Sequence, residues 1–165
     1  MIMGKGQLPA APSGHRLLVR PNPPDEKAGE LHIPDIAKER PHTGAILAAG
    51  LSAHDLMHDH GHQVGDMIWW GKYSGVIEEW DHIVEEGKPC KEHDWSRLPS
   101  PADRVSEWQC RCGTMRRAEP VVVINADDIL CNVSLQARIE SGEVYIERAK
   151  TPSGVTQHRI DRKDQ

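Results

Sequence analysis

The chain has 165 residues and a formal net charge of −5, with a pI near 6.0, a size that suits one ordinary domain with an insertion or tail. Net acidity argues against nucleic acid as the main partner, because phosphate binding needs clustered Lys and Arg, and no apolar run reaches the roughly 18 residues that span a bilayer. Four cysteines, three of them clustered, do not make a secreted disulfide framework, so the expected compartment is a reducing cytoplasm.

Residues 1–13 lack a charged-then-apolar leader pattern and read as a flexible N-terminus. In 14–21, Leu17, Leu18 and Val19 between Arg16 and Arg20 predict a short strand. Residues 22–43 form a loop too rich in Pro and charge to order on its own apolar surface. Inside it lies an apolar island, Ala28-Gly29-Glu30-Leu31-His32-Ile33-Pro34. The spacing of Leu31 and Ile33 puts both side chains on one face of an extended segment. A mobile loop with an apolar tip is suited to ordering on a partner; the alternative is that Leu31 and Ile33 pin the loop to the core.

Residues 43–49 predict the next strand, closed by Gly50. The connection at 51–63 crowds His54, His58, His60 and His62 with Asp55 and Asp59, and three readings stand: a solvated loop, a metal site or a pH sensor. Val64-Gly65-Asp66 is a turn leading into a strand, Met67-Ile68-Trp69-Trp70, whose pattern does not say which tryptophan faces inward. Tyr73-Ser74-Gly75 predicts a hairpin turn with 76–81 as its return strand. Residues 120–124 are the strongest strand signal, followed by a helical turn at 125–128 and an apolar run at 129–133, in which Cys131 is expected to pack as a small apolar residue. In 134–165, residues 137–140 and 144–148 flank Ser141-Gly142 as a hairpin, 155–160 add a strand, and 161–165 are expected to be disordered. Short strands between turns, with little helix, predict an all-β fold built on a small barrel or sandwich.

Residues 82–118 carry Cys90-x-x-His93 and, sixteen residues on, Cys110-x-Cys112-Gly113. Zinc favours four Cys and His ligands paired at short spacing on two separate turns. A segment this short cannot bury a core of its own, so a structural metal would supply one, helped by Trp95 and Trp108. Cys-x-Cys is tighter than the usual pair, which leaves Asp94 or His82 as substitute ligands. The competing readings are a floppy loop with incidental thiols, a redox pair and a catalytic metal.

The order of these elements resembles the GroES co-chaperonin (10-kDa chaperonin) family. Gly29-Glu30-Leu31-His32-Ile33-Pro34 stands where that family has its Gly-Gly-Ile-(Val/Met)-Leu mobile loop. Gly44-Ala45-Ile46-Leu47-Ala48-Ala49-Gly50 stands for its Gly-x-Val-x-x-Val-Gly strand, and Val64-Gly65-Asp66-Met67-Ile68-Trp69-Trp70 for its Val-Gly-Asp-x-Val-x-Phe strand. Val121 to Ile124 followed by Asp128-Ile129-Leu130-Cys131 matches its closing strands. The resemblance divides the chain into a GroES-like barrel (14–81 and 119–133, with the mobile loop at about 22–43 and a roof-type loop at about 51–63), an inserted zinc-ribbon-like Cys/His module of about 37 residues (82–118) and a C-terminal β extension (134–165). Glu30 and His32 depart from the loop motif, making the tip stiffer and less apolar; such divergence with an added module suits a phage-encoded member acting in a bacterial host cytoplasm.

The resemblance implies a heptameric ring that caps a GroEL-type chaperonin and encloses an unfolded client while ATP acts on the partner. It assigns chaperonin binding to Glu30, Leu31, His32, Ile33 and Pro34 and implies no catalytic residues, while the Cys/His spacing itself makes Cys90, His93, Cys110 and Cys112 the candidate zinc ligands. The alternative is a zinc-binding accessory protein or metal-dependent enzyme, against which no nucleophile, base and orienting group assemble and no His-Glu-x-x-His occurs. A nucleic-acid binder would rest on Arg111, Arg116 and Arg117 alone, and a dehydrogenase lacks its Gly-x-Gly-x-x-Gly motif.

Overall fold

Leu17, Leu18 and Val19 are all buried, which makes β1 (Arg16–Pro21) a strand covered on both faces and explains its unbroken apolar run. The computed structural model describes residues 2–23, 27–28, 31–32, 41–99, 105–150 and 156–162. After β1 come the two-residue strands β2 (Lys27–Ala28) and β3 (Leu31–His32), β4 (Thr43–Ala49), helix α1 (Leu51–Asp59), β5 (Met67–Trp70) and β6 (Val76–Glu85). Then follow β7 (Trp95–Arg97), β8 (Ser106–Cys110), β9 (Met115–Asn125), a 3-10 turn (Ala126–Asp128), β10 (Ile129–Asn132), helix α2 (Val133–Glu140), β11 (Val144–Lys150) and β12 (Thr156–Arg162).

Eight strands form one sheet in the order β10-β5-β4-β1-β9-β8-β7, with β6 also on β9. The all-β class is borne out, and among the described residues the two ends of this sheet do not join. Leu17 and Val19 face one core with Ile46, Ile68, Trp70, Val122 and Ile124; Leu18 faces a second with Trp80 and Val121. Trp70 is 1% exposed and Trp69 49%, which settles the inward choice that the pattern left open.

Several local expectations need correction. The His-rich stretch is helical over Leu51–Asp59, because Ala53 and Met57, one turn apart, both seat in the first core. Strands β5 and β6 are not a hairpin: β5 lies between β4 and β10, whereas β6 pairs with β9 from Val76↔Val123 to Glu85↔Met115. The N-terminal segment is docked, with Met3 bridging His82 and the Trp80 indole donating to Gln7 O at 2.9 Å. Residues 137–140 lie in α2, whose N-cap Asn132 accepts from Leu135 N at 2.8 Å. The C-terminal hairpin is β11 with β12, and β12 takes in Asp161 and Arg162. Cys131 is exposed.

An ion pair fastens α2 to the sheet. Arg138 donates to both oxygens of Asp66, at 2.6 and 2.8 Å, and to Gly61 O at 2.9 Å. Asp66, only 4% exposed, also accepts from Asn132 Nδ2 and from Gln63 N. Burial acts to raise the Asp66 pKa, but the hydrogen bonds from Arg138, Asn132 and Gln63 outweigh it and hold the carboxyl below 3.8. The neighbouring His62 is pushed below 6.5 by burial and by His60.

Removing one partner of a buried, hydrogen-bonded pair costs about 3–5 kcal/mol. Arg138→Ala should therefore lower stability in urea by about 3 kcal/mol at neutral pH. The Asp66 contribution is complete above its unfolded pKa and is lost as pH falls through the depressed folded value, so the gap between wild type and variant should narrow in acid below about pH 4. An equal gap at pH 7 and pH 3 would contradict this account.

Candidate functional site

Two turns bring the four predicted metal ligands together. Cys90 and His93 lie in the connection from β6 to β7, and Cys110 ends β8 while Cys112 sits in the tight turn to β9. Gly113 N donates to Cys110 O and Cys110 N to Thr114 O, both at 2.9 Å, with Gly113 at φ 92°, a conformation that glycine adopts freely. The turns are tied by Lys88 N donating to Cys112 O (2.9 Å) and Gly87 N to Thr114 Oγ1 (3.1 Å). A Cβ at Gly87 would overlap Cys112 O and Thr114 N, so only glycine permits this approach.

The three sulfurs and the His93 imidazole lie within 4.8 Å of one another, the only such group of three or more His, Cys, Asp or Glu among the described residues. His93 Nδ1 is 3.1 Å from Cys90 Sγ and 3.6 Å from Cys112 Sγ. A tetrahedral zinc with thiolate and imidazole ligands sets such separations at about 3.5–3.8 Å. The residues therefore fit a metal, and this group could hold one. The tighter Cys-x-Cys is accommodated because one cysteine ends a strand and the other sits in the turn. Neither substitute ligand enters: Asp94 pairs with Arg111 at 3.5 Å, and His82 is buried against Trp80 at 3.8 Å between ring centroids. The four histidines at 54–62 form no such group, although His60 and His62 stack at 6.2 Å.

Crowding divides the thiols. Desolvation, then the adjacent Cys112 and Cys110, pushes Cys90 up to about 12, whereas the hydroxyl and backbone N–H of Thr114 hold Cys112 down at about 6. Three thiolates this close repel unless a cation binds them, which is the work a divalent metal does. Behind the cluster the His93 ring packs on Trp95 at 4.8 Å, and the Arg116 guanidinium lies over Trp95 (5.9 Å) and Trp108 (4.5 Å) while its Nε donates to Asp81 at 2.7 Å. Sequence reasoning missed Thr114, Gly87 and the Arg116 bridge; a Thr directly after Cys-Gly was the one local signal.

In the loop, Leu31 and His32 form β3, paired with β2 in the register Ala28↔Leu31 and Lys27↔His32. Glu30, Ile33 and Pro34 lie outside the described residues.

The described residues form a mostly β fold of one open eight-stranded sheet and two two-stranded sheets, with the Cys/His cluster between the β6–β7 connection and the β8–β9 turn. The sequence profile of the chaperonin 10 Kd subunit family matches residues 9–94, and the chain belongs to that family. It is 36% identical over 83 residues to the co-chaperonin GroES of Chlorobium luteolum, covering 44% of this chain and 84% of that one. It is 40% identical over 74 residues to the co-chaperonin GroES of Phocaeicola vulgatus, covering 42% and 77%. The co-chaperonin GroES of Chloroherpeton thalassium is 39% identical over 83 residues, covering 44% and 84%. Among the described residues no helix is long and apolar enough to cross a membrane.

Because His93 rests on Trp95, zinc added to metal-free protein should alter tryptophan emission and raise the melting temperature. Cys112→Ser should abolish both responses. Unchanged emission and stability on chelation would remove the metal from the fold.

Proposed function

We propose that the protein is a co-chaperonin that assembles as a ring, seven-membered on the family pattern, and caps a GroEL-type chaperonin to assist ATP-dependent folding of unfolded clients. Family membership carries this reading. The chain supplies no chemistry: ATP is bound and hydrolysed by the partner, in the cytoplasm of a bacterial host if the protein is phage-encoded.

Docking falls to Glu30, Leu31, His32, Ile33 and Pro34. Within this loop Lys27 and Ala28 are paired with His32 and Leu31. A short preformed hairpin lowers the ordering cost of a longer loop. Leu31 and Ile33 then enter an apolar groove with His32 between them, and Pro34 sets the exit direction. One such loop binds weakly, because ordering it offsets much of the contact energy. Copies tethered to one ring act at high effective concentration and add about two to four orders of magnitude. A cap held by many weak contacts detaches when the chaperonin changes state.

In this reading residues 82–118 are an inserted module and 134–165 an extension of the barrel. Zinc is held by Cys90, His93, Cys110 and Cys112, where it joins two turns and supplies the core that the segment lacks. Four protein ligands leave no open position for catalysis.

The test is co-sedimentation with a bacterial chaperonin ring, with and without adenine nucleotide. Wild type should be captured only with nucleotide. Leu31→Ser and Ile33→Ser should each lose capture while keeping the wild-type circular dichroism and oligomer size, since about 1.5–3 kcal/mol is lost at every loop. Nucleotide-dependent capture of either variant would overturn the docking assignment.

A further inference from the structure

A zinc site that serves only to hold a fold gains from burying its sulfurs, because buried thiolates are inert. Here Cys110 is buried, but Cys90 is exposed and Cys112 half-exposed. We propose that the cluster is an oxidant-labile zinc clamp, in which hydrogen peroxide joins Cys90 to Cys112, expels zinc and replaces the metal link between the β6–β7 connection and the β8–β9 turn with a disulfide. This rests on the zinc reading above.

The positions of the sulfurs favour this pair. Cys90 is the sulfur most open to a small oxidant, and its Sγ and that of Cys112 lie within 4.8 Å of each other. They sit on separate turns, so a bond between them bridges two segments, whereas Cys110 and Cys112 share one tight turn. Lys88 N on Cys112 O already holds the two turns in register at 2.9 Å, so closure needs movement only of side chains and of the exposed loop tip.

The step balances with peroxide as the oxidant. The Cys90 sulfur, deprotonated as a ligand in the zinc-loaded protein, attacks one peroxide oxygen, the O–O bond breaks, and the departing hydroxide takes a proton from solvent to become water. The Cys90 sulfenic acid is then attacked at sulfur by the Cys112 thiolate; the S–S bond forms and a second hydroxide leaves as water. Two thiolates lose two electrons and one peroxide gains them. Only Cys110 and His93 remain as ligands, too few to retain zinc.

The experiment takes the full-length, zinc-loaded protein into millimolar peroxide. Zinc release is followed with a chromogenic chelator, thiol loss with a thiol reagent, and the linkage by peptide mass mapping. The expected result is complete loss of zinc with two thiols consumed per zinc, a Cys90–Cys112 linked peptide, and recovery of zinc binding after reduction. Cys131→Ser, outside the cluster, should respond as wild type does. Zinc retained while the exposed Cys131 is oxidised would overturn the proposal and leave the zinc reading intact. Release with sulfinic acid and no disulfide would also overturn it. A chain that takes up no zinc would overturn both readings.

Discussion

Strand β9 holds the molecule together because it satisfies hydrogen bonds to three other strands along its eleven residues. Its first half, Met115 to Ala118, lies between β6 and β8; its second half, Val122 to Asn125, meets β1. The second half carries Val122 and Ile124 into one core and Val121 into the other. The first half leads out of the Cys112 turn and carries Arg116, whose guanidinium lies over the two tryptophans that back the cluster. One strand therefore runs from the two cores to the Cys/His cluster, and the two share a continuous strand rather than a linker. Among the described residues β6 and β9 run on together beyond the cores, with β8 paired to β9 and β7 to β8.

The same economy appears at the other end. Asp66 belongs to the Val-Gly-Asp turn that the chain shares with its family pattern, yet its partner Arg138 lies beyond the residues that the profile matches. A carboxylate buried to this degree is tolerable only with its lone pairs occupied. Arg138, Asn132 and Gln63 occupy them, so α2 is part of what makes the turn stable.

How much of this was legible follows from the range of each interaction. The Cys/His grouping could be read because four residues of two metal-ligating types at short spacing have few other uses, and the first strand because three apolar residues in a row fit a doubly covered position. The helix at Leu51–Asp59 was hidden by its histidines, although Ala53, Leu56 and Met57 mark its apolar side. The false β5–β6 hairpin came from a turn signal whose two flanks pair elsewhere; no local pattern says that Val76 seeks Val123. Trp69 and Trp70 are ordered by their neighbours on β4 and β10, and the alternating look of Ala137-Arg138-Ile139-Glu140 gave way to the Asn132 cap and the pull of Asp66.

Pairing of β1 with β9 sets Arg16 beside Asn125, more than a hundred residues along the chain. Closing so long a loop is slow compared with forming the β8–β9 or β7–β8 hairpins. During synthesis the central strand of the sheet, apolar on both faces, must wait for nearly three-quarters of the chain to leave the ribosome before its second neighbour arrives. A protein whose family serves the folding of others thus exposes, in its own biogenesis, a sticky strand of the kind that invites a chaperone's attention.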